Sequence, residues 1–189
     1  AVAAKHCDAT LFLDELGQAD AKVAGSTAYM LANGMGKQRA KRDGSQREPQ
    51  EWRLFFVSTG EITLSDKVRE DQRKKAMAGQ QVRILDIPAD AGAGTGIFDT
   101  IHGFENGDRF ARHLKDAAAQ NYGTPFREFL AHIVRARDTL GTDIRLSIEA
   151  FVDNTTSAGT APQAKRAASR IGLLATAGVL AITYGALPW

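Results

Sequence analysis

Thr10-Leu11-Phe12-Leu13-Asp14-Glu15 is the segment that most narrows what this chain can fold into. A short apolar run that stops abruptly on two acids reads as a buried strand with a charged carboxyl end. Burial holds such an end rigidly, and open α/β sheets bind ligands at the carboxyl ends of their strands. An Asp there can accept from the water shell that magnesium keeps. The Glu beside it can orient and deprotonate a water attacking a terminal phosphate. Asp14 and Glu15 are therefore the first candidate catalytic pair, with Asp14 as the candidate metal and nucleotide contact. The bland alternative is a strand that ends in two solvated acids.

The pattern around this run predicts two further buried strands, Trp52–Val57 and Val82–Ile87, the last stopped by Pro88. A helix is expected over Ala21–Asn33, ended by Asn33-Gly34-Met35-Gly36, where Asn and Gly tolerate left-handed backbone. A second is expected from a cap at Ser65 or Asp66 through Met77, closed by Gly79. Beyond the glycine-rich stretch Ala89–Gly96 the pattern turns helical. The expected spans are Asp108–Tyr122, Thr124–Leu140, Thr142–Asn154 and Pro162–Tyr184. Gly123 past one helix and Thr124-Pro125 at the start of the next form a stop-and-start signal. Three buried strands with helical or long connections suggest a parallel sheet.

The second strand leads into Ser58-Thr59-Gly60-Glu61. Ser58 and Thr59 are hydroxyl donors and acceptors that could touch a terminal phosphate or its attacking water. They could equally be ordinary turn formers. A phosphate loop needs G-x-x-x-x-G-K-[ST] between strand and helix. Gly36-Lys37 fails that test, because Leu31 and Gln38 stand where Gly and Ser or Thr are required. Gly92–Gly96 fails too, for no Lys follows it. Any phosphate loop is expected upstream of Ala1, which makes this chain read as part of a longer protein.

Between the acidic strand and the Ser58 strand lies a basic segment, Lys37-Gln38-Arg39-Ala40-Lys41-Arg42, with Arg47 and Arg53 beyond it. Lys37, Arg39, Lys41 and Arg42 are candidate contacts to nucleic-acid phosphates, which would bind in a salt-sensitive, sequence-blind way. The alternative is a solvated charged loop. Arg69, Arg73, Arg83 and Arg109 are candidate arginine fingers, groups that steady the charge of phosphoryl transfer. Arg83 stands out because it interrupts an apolar strand. His6, His102, His113 and His132 share no metal-ligand spacing.

Net charge is only +2 over 189 residues, so an electrostatic case for nucleic acid must rest on local clusters. The single cysteine, Cys7, allows no disulfide within the chain and suits a reducing cytoplasm. Ile171–Trp189 carries no charge, yet its glycines and small side chains favour a closely packed terminal helix over a membrane span.

The segments HCDATLFLDELGQ, AYMLANGMGKQRAKRDG, WRLFFVSTGE, VRILDIPAD and FREFLAHI, with the terminal KRAASRIGLLATAGVLAITYGALPW, resemble bacterial domain-of-unknown-function family nine-two-seven. The likeness runs in order over nearly the whole chain. It implies a helicase-like P-loop ATPase of phage, plasmid and genomic-island proteins. It also implies that Asp14 and Glu15 form the acidic motif, that Ser58 or Thr59 senses phosphate, and that Lys37, Arg39 and Arg42 belong to a family-typical basic segment.

The expectation is an α/β fold: a partial P-loop (RecA/AAA-like) parallel sheet lacking its phosphate-loop strand over residues 1–98, then a helical region over 99–189. The expected cofactors are ATP and Mg2+. DNA and further copies of the chain, as a homo-oligomer, are the expected partners; no membrane is. Open strand edges in such a partial sheet would favour self-association. The rival expectation is a non-enzymatic nucleic-acid-binding or assembly domain with a vestigial acidic motif.

Overall fold

The computed structural model describes residues 2–15, 18–37, 40–41, 44–45, 48–70, 84–90 and 92–188. The chain divides into two compact units, Ala1–Asp86 and Ile87–Trp189. The first unit is mixed α/β and the second is mostly helical.

In the first unit a short helix α1 (Val2–Lys5) leads into β1 (Thr10–Leu13). Helix α2 follows over Ala21–Asn33, β2 over Phe55–Ser58 and α3 over Leu64–Arg69. The strands pair in parallel, Thr10 opposite Phe55 through Leu13 opposite Ser58. Among the described residues the sheet has these two strands. Ile84 to Ile87 carry no strand; the start of the expected third strand, with Arg83, lies outside the described residues, as does Arg73.

The two strands are buried on one side only. Leu11 is buried and Leu13, Phe56 and Ser58 half-buried, whereas Thr10, Phe12, Phe55 and Val57 on the opposite face are exposed. The expectation of buried strands is corrected to that extent. Period-2 geometry sends alternate side chains to opposite faces, and here only one of those faces is covered. The buried cluster of this unit joins α2 to α3: Ala24, Ala28, Leu64 and Val68, with Ala19 and Ile84 against it. Small residues on α2 let the helices approach closely. Asp20 caps α2 by accepting from the Lys22 amide at 2.9 Å. Thr63 caps α3, ahead of the Ser65 or Asp66 expected, by accepting from the Asp66 amide at 3.0 Å.

Arg53 clips the start of one strand to the start of the other. Its Nε lies 2.6 Å from Asp8 Oδ1, and its carbonyl accepts from the Asp8 amide at 2.6 Å. The hydrogen bond from Arg53, aided by its charge, holds the Asp8 carboxyl below its ordinary 3.8. A carboxylate with a depressed folded pKa adds stability above its unfolded value and loses it as pH falls through the folded one. NMR titration of the Asp8 carboxyl should therefore place it below 3.8, and Arg53→Gln should raise it. Because both side chains are exposed, added salt should weaken the effect. An unshifted Asp8 titration would count against the clip.

The second unit opens with a glycine-rich turn region whose aromatic side chains gather on helix α4 (Gly107–Gln120). Phe98 meets Phe110 at 4.8 Å between ring centres, and Phe104 meets His113 at 4.9 Å. Helix α5 then runs unbroken over Thr124–Thr155, 32 residues. This corrects the expected stop at Leu140 and fresh start at Thr142. An interior Gly costs about 1 kcal/mol against Ala, too little to break a helix with packing on both sides of it. Leu140 beside it is buried. Helix α6 (Pro162–Thr183) returns along α5, where a Cβ on Gly172 would lie 3.1 Å from the Phe151 ring. Tyr184 stacks on His132 at 4.7 Å. The buried terminal helix expected is corrected: close packing is confined to contacts such as Gly172 on Phe151, only Gly172 and Thr176 of α6 are buried, and Leu173, Leu174, Val179 and Ile182 are exposed. Among the described residues α6 is the one helix long and apolar enough to cross a membrane, by length and composition alone.

Candidate functional site at the strand ends

The parallel register sets the geometry. Leu13 lies opposite Ser58, so Asp14 and Thr59 leave the two carboxyl ends side by side. The Thr59 amide donates to the Leu13 carbonyl at 3.1 Å, extending the ladder by one residue. The Thr59 hydroxyl then donates to Asp14 Oδ1 at 2.7 Å and accepts from the Glu15 amide at 3.1 Å. One hydroxyl, with one proton to give, thereby meets the Asp14 carboxylate and the Glu15 main chain. Ser58 does something different: its Oγ donates to the Thr59 carbonyl at 3.2 Å. Of the two hydroxyl candidates, only Thr59 joins the acidic pair.

Glu15 sits at φ 48, left-handed backbone that a residue with a Cβ adopts at a cost. Such strain is of order 1–3 kcal/mol and gathers where a side chain must be aimed. The Gln18 amide donates to the Glu15 carbonyl at 3.0 Å, and Gln18 Nε2 approaches Glu15 Oε2. Glu15 and Gln18 line a cavity of about 250 Å³ with Gly60, Glu61 and Ile62. No sequence motif singles out Gln18; its only local signal is its place three residues after Glu15.

The donor set suits a hydrated magnesium ion, which takes one or two carboxylates plus substrate phosphates rather than a full protein cage. Asp14 and Glu15 are both exposed at the strand ends. Among the described residues no group of three or more His, Cys, Asp or Glu is arranged to hold a metal.

The basic segment is less loop-like than expected at its base. Gly34 ends α2 in left-handed backbone at φ 72. The Trp52 amide donates to the Gly34 carbonyl at 2.8 Å, the Gly36 amide to the Gln50 carbonyl at 2.8 Å, and Met35 bridges Glu51 in antiparallel fashion. The Trp52 indole N–H donates to the Leu31 carbonyl at 3.0 Å, tying this neck to the helix end. Further out, the Lys41 amide donates to the Ser45 carbonyl at 2.7 Å and the Gly44 amide to the Lys41 carbonyl at 3.0 Å. The pairs 34/52, 36/50 and 41/45 share one antiparallel register. Lys37 and Lys41 are exposed on it; Arg39, Arg42 and Arg47 lie outside the described residues.

Residues 1–51 match the family described as Domain of unknown function (DUF927). This is the family that the sequence segments resemble, and the match spans β1, both acids, α2 and the basic segment. No curated protein and no solved structure matches the chain.

Proposed function

We propose that this chain supplies the acidic half of an ATP-hydrolysing site in a helicase-like P-loop protein. One observation carries the reading: Asp14, Glu15 and Thr59 converge at the carboxyl ends of two adjacent parallel strands. Asp14 would hold the water shell of magnesium, leaving one oxygen on Thr59. Magnesium, when bound with nucleotide, supplies charge neutralisation on the phosphates. Glu15 would take the proton of the attacking water as the bond from the terminal phosphorus to its bridging oxygen breaks, giving ADP and phosphate. Thr59 acts as the positioning residue, its single proton engaged by Asp14. Glu15→Gln in the full-length protein tests the scheme: nucleotide still binds and turnover collapses, whereas undiminished turnover overturns it.

The same protein would bind DNA through the basic segment. The antiparallel neck supports this, because a ribbon held at its base presents Lys37 and Lys41 outward. Reversing Lys37, Arg39, Lys41 and Arg42 to Glu should weaken DNA binding and flatten its salt dependence. The slope of log affinity against log salt falls by about 0.9 for each phosphate no longer neutralised. An unaltered slope would leave the segment as solvated surface. If DNA binding survives while Glu15→Gln changes no turnover, the non-enzymatic reading replaces the motor.

A further inference from the structure

The helices of the second unit bury little. Of α4, α5 and α6, only Leu140, Gly172 and Thr176 are buried. Yet Phe126, Leu130 and Val134 of α5 are 63%, 42% and 60% exposed. Four residues apart, they climb one face of the helix. The same spacing brings Gly141, Ile148 and Val152 onto that face. A Cβ on Gly141 would meet nothing within 4 Å, and Ile148 and Val152 are half-buried. Phe151 and His132, which meet α6, lie outside this stripe. An open apolar stripe of this kind marks an interaction surface. Charge along α5 selects the partner. Residues 124–139 carry Arg127, Arg135 and Arg137 against Glu128 and Asp138, whereas residues 140–155 carry Asp143, Glu149 and Asp153 against Arg145. A second copy running antiparallel sets each basic half against an acidic half. Two-fold interfaces require such self-complementarity. The area agrees. Helices of 32 and 22 residues are about 48 and 33 Å long and about 10 Å wide, so one side of the α5–α6 pair presents about 800 Å². A stable dimer needs about that much from each partner. A bilayer fits less well, because α6 packs along α5 and would carry Arg135, Arg137, Asp143 and Arg145 into hydrocarbon, where charge is costly. We propose that α5 is a two-fold interface, pairing antiparallel with the same helix of a second copy through Phe126, Leu130 and Val134. The proposal stands apart from the ATP reading.

The test combines sedimentation equilibrium with distances between spin labels, both in the full-length protein. Leu130→Asp with Val134→Asp puts two carboxylates into the stripe and should weaken self-association by at least about a hundredfold, with helix content by circular dichroism unchanged. Leu146→Asp is the control. Leu146 is exposed too, but it lies about 120° round the helix from Val134, so association should not change. Nitroxides on Arg127→Cys or on Asp138→Cys, in a Cys7→Ser background, report the direction of pairing. Antiparallel helices centred near residue 139 separate the two labels at 127 by about 36 Å along the axis and the two at 138 by about 3 Å. Short distances at both positions mean parallel pairing and overturn the proposal. So does the absence of any distance between copies, or self-association that ignores the double substitution or is lost equally in Leu146→Asp. A monomer that floats with vesicles of phosphatidylcholine and phosphatidylglycerol gives the face to lipid and overturns it as well. Should the double variant unfold, the label distances still decide, since they are measured with the stripe intact.

Discussion

Glu15→Gln should reduce ATP turnover by about a hundredfold to ten-thousandfold, the range that a positioned general base contributes. At about 1.36 kcal/mol per decade this is about 3–5 kcal/mol of barrier. Nucleotide affinity should hardly change. The substitution keeps the side chain's length and does not alter the backbone at φ 48. It removes only the ability to accept a proton. Asp14→Ala should behave differently, because Asp14 is the proposed metal contact. That variant should lose the magnesium dependence of nucleotide binding and also free the Thr59 hydroxyl. Single-turnover assays and nucleotide titrations in the full-length protein separate the two. Matching profiles for the two variants would argue that the acids do not divide the work.

Gly34→Ala should strongly destabilise the first unit. Gly34 adopts φ 72, and a Cβ there would sit 2.6 Å from the Trp52 carbonyl oxygen. Left-handed backbone costs a residue with a side chain about 1–2 kcal/mol. The clash adds to this, because the obstacle is backbone that is itself bonded to Gly34. Relief requires opening the neck of the basic segment or unwinding the end of α2. A destabilisation of 1 kcal/mol lowers the midpoint of a domain this size by roughly 4–8 °C, so calorimetry should register a drop of at least about that size. DNA affinity should fall in parallel if the neck presents the basic residues. Gly36→Ala is the control: its Cβ would meet the Gln50 carbonyl at 3.4 Å, and its backbone is not left-handed. Equal midpoints for the two variants would show that the neck does not depend on Gly34.

Much of the first unit is legible in the linear pattern. The apolar run stopping at Asp14, the helix from Ala21 to Asn33 and the turn at Gly34 all carry local signals, namely hydrophobic period, cap chemistry and positive-φ residues. The helical remainder is legible for the same reason, since its spacing repeats over many turns. Local rules fail where the outcome depends on what lies opposite. Gly141 reads as a break, but packing on either side carries α5 through it. The strands read as buried, but only Leu11, Leu13, Phe56 and Ser58 lie on the covered face.

The residues of the candidate site can be named one by one from sequence: two acids at one strand end and two hydroxyls at another. Sequence alone, through the apolar runs and their abrupt polar ends, determined that these groups lie at strand ends. It could not choose between Ser58 and Thr59, which are neighbours of similar chemistry. Tertiary structure decided that choice. Parallel pairing of Leu13 with Ser58 sets Thr59 beside Asp14, 45 residues away in the chain, and the Ser58 hydroxyl turns back onto the local backbone. It likewise brought the Gln18 amide to the Glu15 carbonyl and closed the neck between Gly34 and Trp52. Hydrogen bonds of this kind join groups by position in space. A linear pattern records which groups exist, and only the fold records which of them meet.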